Sequence, residues 1–245
     1  MPSHSIRQRA GRSVLVHLPP GYDVSRAEPY PLLVLHDGQN LAHWRDEAQG
    51  GSWHADETID RLVADGRIPP IVMAGIDHAG DERIGEFTPA ASDDGGGPPS
   101  VYGRWIVDHL IPDLADDLNV RADIRGVTLG GSSLGGLVTL WIASISPGQF
   151  GRLLVMSPSV WWDNHMILRH LRKQPIDTAT RIWLDVGKDE GKSVVRDARA
   201  LRDLLREQHH DQLCYLEDPD GDHTEASWGR RFSDALTWLY RDQYS

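Results

Sequence analysis

Seven short apolar runs with helix-forming segments between them constrain the fold more than any other feature of this chain. They are SVLVHL (Ser13–Leu18), PLLVLHD (Pro31–Asp37), PIVMAGID (Pro70–Asp77), GVTLGGS (Gly126–Ser132), RLLVMSPS (Arg152–Ser159), RIWLDVG (Arg181–Gly187) and QLCYLED (Gln212–Asp218). Most carry their apolar residues continuously rather than in alternation, the pattern of strands covered on both faces. The intervening segments change period. Val194, Ala198, Leu201 and Leu205 fall on one helical stripe, and Thr58–Ala64, Tyr102–Leu118, Leu134–Ser144 and Ala226–Tyr240 show similar spacing. Strands alternating with helices predict the α/β class, a doubly wound and mainly parallel sheet flanked by helices. The 245 residues show no internal repeat and no linker, so one α/β domain over residues 1–245 is expected.

Charge and composition remove several function classes. Lys and Arg number 25 against 36 Asp and Glu, a net charge of −11, which argues against nucleic acid and anionic membrane surfaces as partners. Cys214 is the single cysteine, so an internal disulfide and a paired-cysteine metal site are excluded. The DPDGD stretch, Asp218–Asp222, resembles the start of a calcium loop, but position 229 is Gly where a ligating Glu is needed. No metal or organic cofactor is expected. No apolar run reaches membrane-spanning length, and the basic N-terminal stretch has no apolar segment behind it, so a cytoplasmic location is expected. The sequence carries no signal of oligomeric state. The Gly- and Pro-rich stretch Thr88–Ser100 reads as a long loop, either bordering a binding cleft or making a surface excursion.

LGGSSLGGL, Leu129–Leu137, sits where an apolar strand gives way to a buried helical pattern. Gly131-Ser132-Ser133-Leu134-Gly135 fits G-x-S-x-G centred on Ser133; a frame centred on Ser132 would need glycine at 134. Strand, sharp turn and helix is the context in which this motif presents a nucleophilic hydroxyl. Such a hydroxyl needs a base, and the base needs a carboxylate, in chain order Ser, acid, His. His223 lies after the last predicted strand and before the last helix, where the base is expected; His209 and His210 precede that strand and read as surface residues. The acid is sought in WLDVGKDEGKS. Asp185 lies within the strand, Glu190 follows at a turn that can reach the His loop, Asp189 is the alternative, and Asp163 is an outside candidate. Two N–H groups are needed for an oxyanion: Leu134, after the nucleophile, and Gln39, in the HDGQN turn after an early strand. Trp161 and Trp162 follow a strand at the same sheet end and are candidates for an aromatic substrate wall. Arg83 and Glu86 read as a loop-ordering ion pair.

These residues, with LPPGYD (Leu18–Asp23), LHDGQNL (Leu35–Leu41), GIDH and RIGEFTP (Gly75–His78, Arg83–Pro89), SPSVWWDN (Ser157–Asn164), DVGKDEG (Asp185–Gly191) and GDHTEASWGRRF (Gly221–Phe232), resemble the esterase D and enterochelin esterase-like branch of the α/β-hydrolases. That branch also includes feruloyl esterases and mycolyltransferases. The resemblance implies nucleophile Ser133, acid Glu190, base His223, and oxyanion donors Gln39 and Leu134. It implies a serine carboxylic-ester hydrolase working through an acyl-enzyme on a small or aryl ester. A siderophore trilactone esterase, an acyltransferase with the same triad, and a non-catalytic binding protein on the same fold are the alternatives. Enterochelin esterases of the cytoplasm carry an additional N-terminal domain for which this chain has no room, and Asp93 and Asp94 oppose their anionic catecholates.

Overall fold

Each of the seven apolar runs forms a strand, and an eighth precedes them. The computed structural model describes residues 4–9, 11–45, 51–89 and 99–241. The strands are β1 (His4–Arg9), β2 (Arg12–His17), β3 (Leu32–His36), β4 (Val72–Ile76), β5 (Val127–Ser132), β6 (Arg152–Met156), β7 (Arg181–Gly187) and β8 (Leu213–Asp218). They join in one sheet, ordered β1-β2-β4-β3-β5-β6-β7-β8. From β4 to β8 the neighbours are parallel, while β2 is antiparallel to both β1 and β4. The predicted α/β, doubly wound and mainly parallel sheet is the fold observed.

β1 went unread because it has no apolar pattern: HSIRQR holds a single large aliphatic residue, Ile6, which is exposed. It is an edge strand, fixed by backbone pairing to β2 across a turn in which Gly11 has φ 85°.

The helices are α1 (Ala55–Ala64), α2 (Arg83–Phe87), α3 (Ser100–Trp105), α4 (Ile111–Leu118), α5 (Leu134–Ile145), α6 (Trp162–Lys173), α7 (Lys192–Glu207) and α8 (Glu225–Leu239). They cover both faces of the sheet, which is why the strands are apolar throughout. Leu33, Leu35, Met73, Leu154 and Met156 face α1 and α8, meeting Ile59, Leu62, Phe232 and Leu236. Leu32, Val34, Ala74, Leu129 and Val155 face the other layer, with Leu114, Leu137, Leu140, Leu171 and Leu201. α5 is buried over most of its length.

Tyr102–Leu118 is not one regular helix. Ile106–Leu110 winds as a π-type turn, and the Ile111 N–H reaches back to the Ile106 carbonyl. Pro112 supplies no N–H, and its ring excludes the carbonyl four residues earlier. The wider turn accommodates that excluded bond. Of the Thr88–Ser100 loop, residues 90–98, with Asp93 and Asp94, lie outside the described residues. No helix among the described residues is long and apolar enough to cross a membrane.

β3 lies between β4 and β5, so the chain leaves the carboxyl ends of β3 and β5 in opposite directions. A sheet of this kind opens a crevice at that switch point. Leu129→Ala, in the fully buried centre of β5, is expected to lower stability by about 2–5 kcal/mol, read from the urea unfolding midpoint.

Candidate active site

The turn between β5 and α5 consists of one residue, Ser133, with φ 56° and ψ −120°. A serine adopts such a backbone only when its surroundings impose it. Here the end of β6 does so: the Ser133 N–H donates to the Met156 carbonyl at 3.0 Å, and the Ser159 N–H donates to the Ser133 carbonyl at 3.0 Å. The turn is tight enough that a Cβ on Gly131 would lie 3.1 Å from the Gly135 carbonyl carbon and 3.2 Å from His36 Cδ2. That approach accounts for glycine on either side of the serine pair. Ser132 is buried and Ser133 half-buried, and both border the cavity described below.

Two further loops close on Ser133. His223 stands just ahead of α8, whose first turn is capped by Thr224 accepting the Ser227 N–H at 3.3 Å. Its Nε2 is 2.9 Å from Ser133 Oγ, and its Nδ1 is 2.7 Å from Glu190 Oε2. The ring stands edge-to-face with Trp228, their centroids 4.9 Å apart. Glu190 lies in the short turn after β7, and its other oxygen accepts the Gly187 N–H at 2.7 Å and the Ser157 hydroxyl. Of the acid candidates Glu190 alone meets the imidazole. Asp189 is exposed; Asp185 is fully buried, where Arg231 lies 3.1 Å away and Trp183 Nε1 donates at 2.8 Å. Burial pushes the Asp185 carboxyl up, against the pull of Arg231. His210, expected at the surface, is instead buried.

Leu134 is the first residue of α5, so its N–H has no acceptor within the helix and lies at the positive end of the helix dipole. Gln39 belongs to the single turn Gly38–Asn40 after β3. That turn is pinned by contact, since a Cβ on Gly38 would fall 2.4 Å from the Gly75 carbonyl oxygen. It is also pinned by charge. Arg83 places Nε and Nη2 on the two Asp37 oxygens at 2.7 and 2.8 Å. The expected Arg83–Glu86 pair is therefore not formed: Glu86 pairs with Arg12, and Arg83 with Asp37. Helix α2 puts the two side chains on different neighbours.

A cavity of about 400 Å³ opens at Ser133, bordered by Asp37, Gln39, Arg83, Ser133, His223 and Glu225. The expected Trp161–Trp162 wall is not built. Trp162 is 4% exposed and packs in the core with Ile167 and Leu171, Trp161 is half-exposed, and neither borders this cavity. Sequence reasoning passed over Glu225, which accepts Asn40 Nδ2 at 2.8 Å and Trp53 Nε1 at 2.6 Å, and Ser159, whose Oγ is 3.3 Å from Ser133 Oγ. Both stand inside quoted motifs, yet only their three-dimensional neighbours give them a part in the site. Among the described residues no group of three or more His, Cys, Asp or Glu could hold a metal ion.

Residues 3–239 match the model of the Esterase family, described as Putative esterase. The chain belongs to this family. The family is one of esterases, and the eight-stranded sheet is of the α/β-hydrolase type. Among relatives, YbbA of Bacillus subtilis, an uncharacterized protein, is 26% identical over 97% of this chain and 96% of its own length. The iron(III) salmochelin esterase of Escherichia coli O6:H1 is 30% identical over 96% of this chain, and this chain spans 56% of that enzyme. Among solved structures, the enterobactin esterase FES from Shigella flexneri with enterobactin superposes with a TM-score of 0.78 at 23% identity, over 97% of this chain and 58% of that one. The BES protein from Bacillus cereus gives 0.74 at 21% identity, over 97% and 95%. Likeness at these identities reports the shared fold.

Behind the Ser133 turn lies His36. Its Nδ1 is 2.8 Å from the Tyr102 hydroxyl, and the ring is 1% exposed. Burial lowers its pKa from 6.5 to about 4, with Asp37 pulling the other way. Above the unfolded value the imidazole is neutral in both states, and its contribution to stability is complete. As pH falls from 6.5 towards 4 the unfolded chain takes up a proton that the folded chain refuses, so stability is lost across that window. The loss attributable to His36 is about 3 kcal/mol. Urea unfolding between pH 7 and 4 is expected to show a shallower pH slope in His36→Gln than in the parent. Asp185, shifted upward, contributes with the opposite sign in both proteins and cancels from the difference.

Proposed function

We propose that Ser133, His223 and Glu190 form the catalytic triad of a serine esterase that works through an acyl-enzyme on a small or aryl carboxylic ester. The observation that carries this reading is the position of His223, with one ring nitrogen 2.9 Å from Ser133 Oγ and the other 2.7 Å from Glu190. Glu190 accepts a hydrogen bond from Nδ1–H, which fixes the tautomer whose Nε2 takes the proton of Ser133. Ser133 Oγ then attacks the ester carbonyl, and the resulting oxyanion is received by the N–H groups of Leu134 and Gln39. As the tetrahedral adduct collapses, the C–O bond to the alcohol breaks and His223 returns its proton to the departing oxygen. Water repeats the path through the same base, releasing the acid and restoring Ser133.

A siderophore trilactone is the second reading for the natural ester, supported by the 30% identity to the salmochelin esterase. A rate panel on short acyl, aryl and trilactone esters separates the two. Ser133→Ala is expected to lower kcat for p-nitrophenyl acetate by at least about 10³-fold and to abolish labelling by a fluorophosphonate probe. Ser133→Ala with parent turnover would remove this function. Ser132→Ala should retain most of the activity. Glu190→Ala should lose much of it, and exposed Asp189→Ala little; the reverse order would assign the acid to Asp189.

A further inference from the structure

Ser157 lies one residue beyond β6, next to Pro158, and the chemistry above leaves it without a part. It is 1% exposed, and its φ of 42° is left-handed backbone that a serine keeps only under constraint. Its N–H donates to the Asp185 carbonyl at 2.9 Å. Its Oγ has three partners: Trp228 Nε1 at 3.0 Å, Arg231 Nη2 at 2.9 Å, and Glu190 Oε1. An indole N–H and a guanidinium can only donate, so they take the two lone pairs of the hydroxyl. The single proton of Ser157 is left with one destination, the Glu190 carboxylate. A rotor that is ordinarily free to turn has its direction set by its neighbours.

We propose that Ser157 is a positioning residue for Glu190: its hydroxyl, aimed by Trp228 and Arg231, holds Oε1 and thereby turns Oε2 towards His223. The inference rests on the triad reading given above. Glu190 divides its two oxygens between tasks. Oε1 takes the Ser157 hydroxyl and the Gly187 N–H, and Oε2 takes His223 Nδ1. With the Ser157 hydroxyl removed, Oε1 keeps one hydrogen bond, from the Gly187 N–H, and the non-directional pull of Arg231 Nη2 at 3.9 Å, and the terminal torsion of a glutamate is soft. The carboxylate plane then swings, and the imidazole loses its orientation.

The aiming groups are themselves fixed. Arg231, 3% exposed, is held 3.1 Å from buried Asp185 and 3.4 Å from Asp218. Trp228 presents its indole N–H to Ser157 and its ring face or edge to His223, so one side chain braces both ends of the relay. Ser157 thus acts through Glu190 and makes no contact with the reacting atoms.

The test compares Ser157→Ala and Ser157→Gly with the parent, using p-nitrophenyl acetate kinetics and the low-field proton resonance of the His223 Nδ1–H bonded to Glu190. Glycine accepts a φ of 42°, so Ser157→Gly keeps the backbone if Ser157→Ala does not fold. The expected result is a fall in kcat of about 10- to 100-fold, KM within about 2-fold, and a shifted or broadened resonance in each folded variant. A folded variant with parent kcat and an unmoved resonance overturns the proposal, as does a change confined to KM. Ser133→Ala, measured alongside, keeps the two levels apart. If it is inactive while the Ser157 variants match the parent, this inference alone fails; if it is active, the triad reading fails first.

Discussion

Two main-chain hydrogen bonds hold Ser133 to the end of β6, and the remainder of the site is arranged around the serine they fix. The Ser133 N–H and carbonyl are both occupied, by Met156 and Ser159, so the residue cannot relax out of its unfavourable backbone without breaking bonds in the interior. The sheet makes those bonds available, because β5 and β6 are parallel neighbours in register from Thr128 with Arg152 to Ser132 with Met156. The strain is local, and the packing that sustains it extends across both layers of the core. A hydroxyl presented in this way projects from the carboxyl edge of the sheet beside the crevice where chain directions diverge.

The other groups reach that crevice from loops far apart in sequence, each delivered by the strand or helix next to it. β3 brings the turn that carries Gln39, β7 brings Glu190, and the N-terminus of α8 brings His223. Ion pairs and close contacts hold the loops alongside the apolar burial of residues such as Leu41 and Trp53: Asp37 with Arg83, Arg45 with Asp77, and the approach of Gly38 to Gly75. A polar site has to be braced in this manner, since burying the same groups unpaired would cost more than the packing returned. Charge is used for placement here, which is consistent with an acidic protein whose positive side chains are so often engaged.

The strands of the parallel sheet were legible because burial on both faces writes a continuous apolar run into each of them. β1 carried no such record. It is stabilised by backbone bonds to β2, and backbone bonds leave no trace in side-chain chemistry. The π-turn at Ile106–Leu110 was written in Pro112, though a helical stripe continued past it and concealed the break. At the candidate site, residue type and chain order single out Ser133, Glu190 and His223 in their loops, and the fold brings the three within hydrogen-bonding distance. Trp162 could not be placed, since an aromatic residue after a strand suits a core as well as a cleft, and the core took it. The partners of Arg83, and the three-way contact of Ser157, depend on which loops touch, a long-range fact that no local pattern records.

The Glu225 carboxylate receives Asn40 from the loop after β3 and Trp53 from the approach to α1, while its own backbone begins α8 two residues beyond His223. One side chain therefore stitches opposite banks of the crevice together. A bulky guest entering from that side cannot spread the banks independently; it must either fit between them as they stand or sever the stitch. Shortening the Glu225 side chain is the smallest change that would let the two banks part.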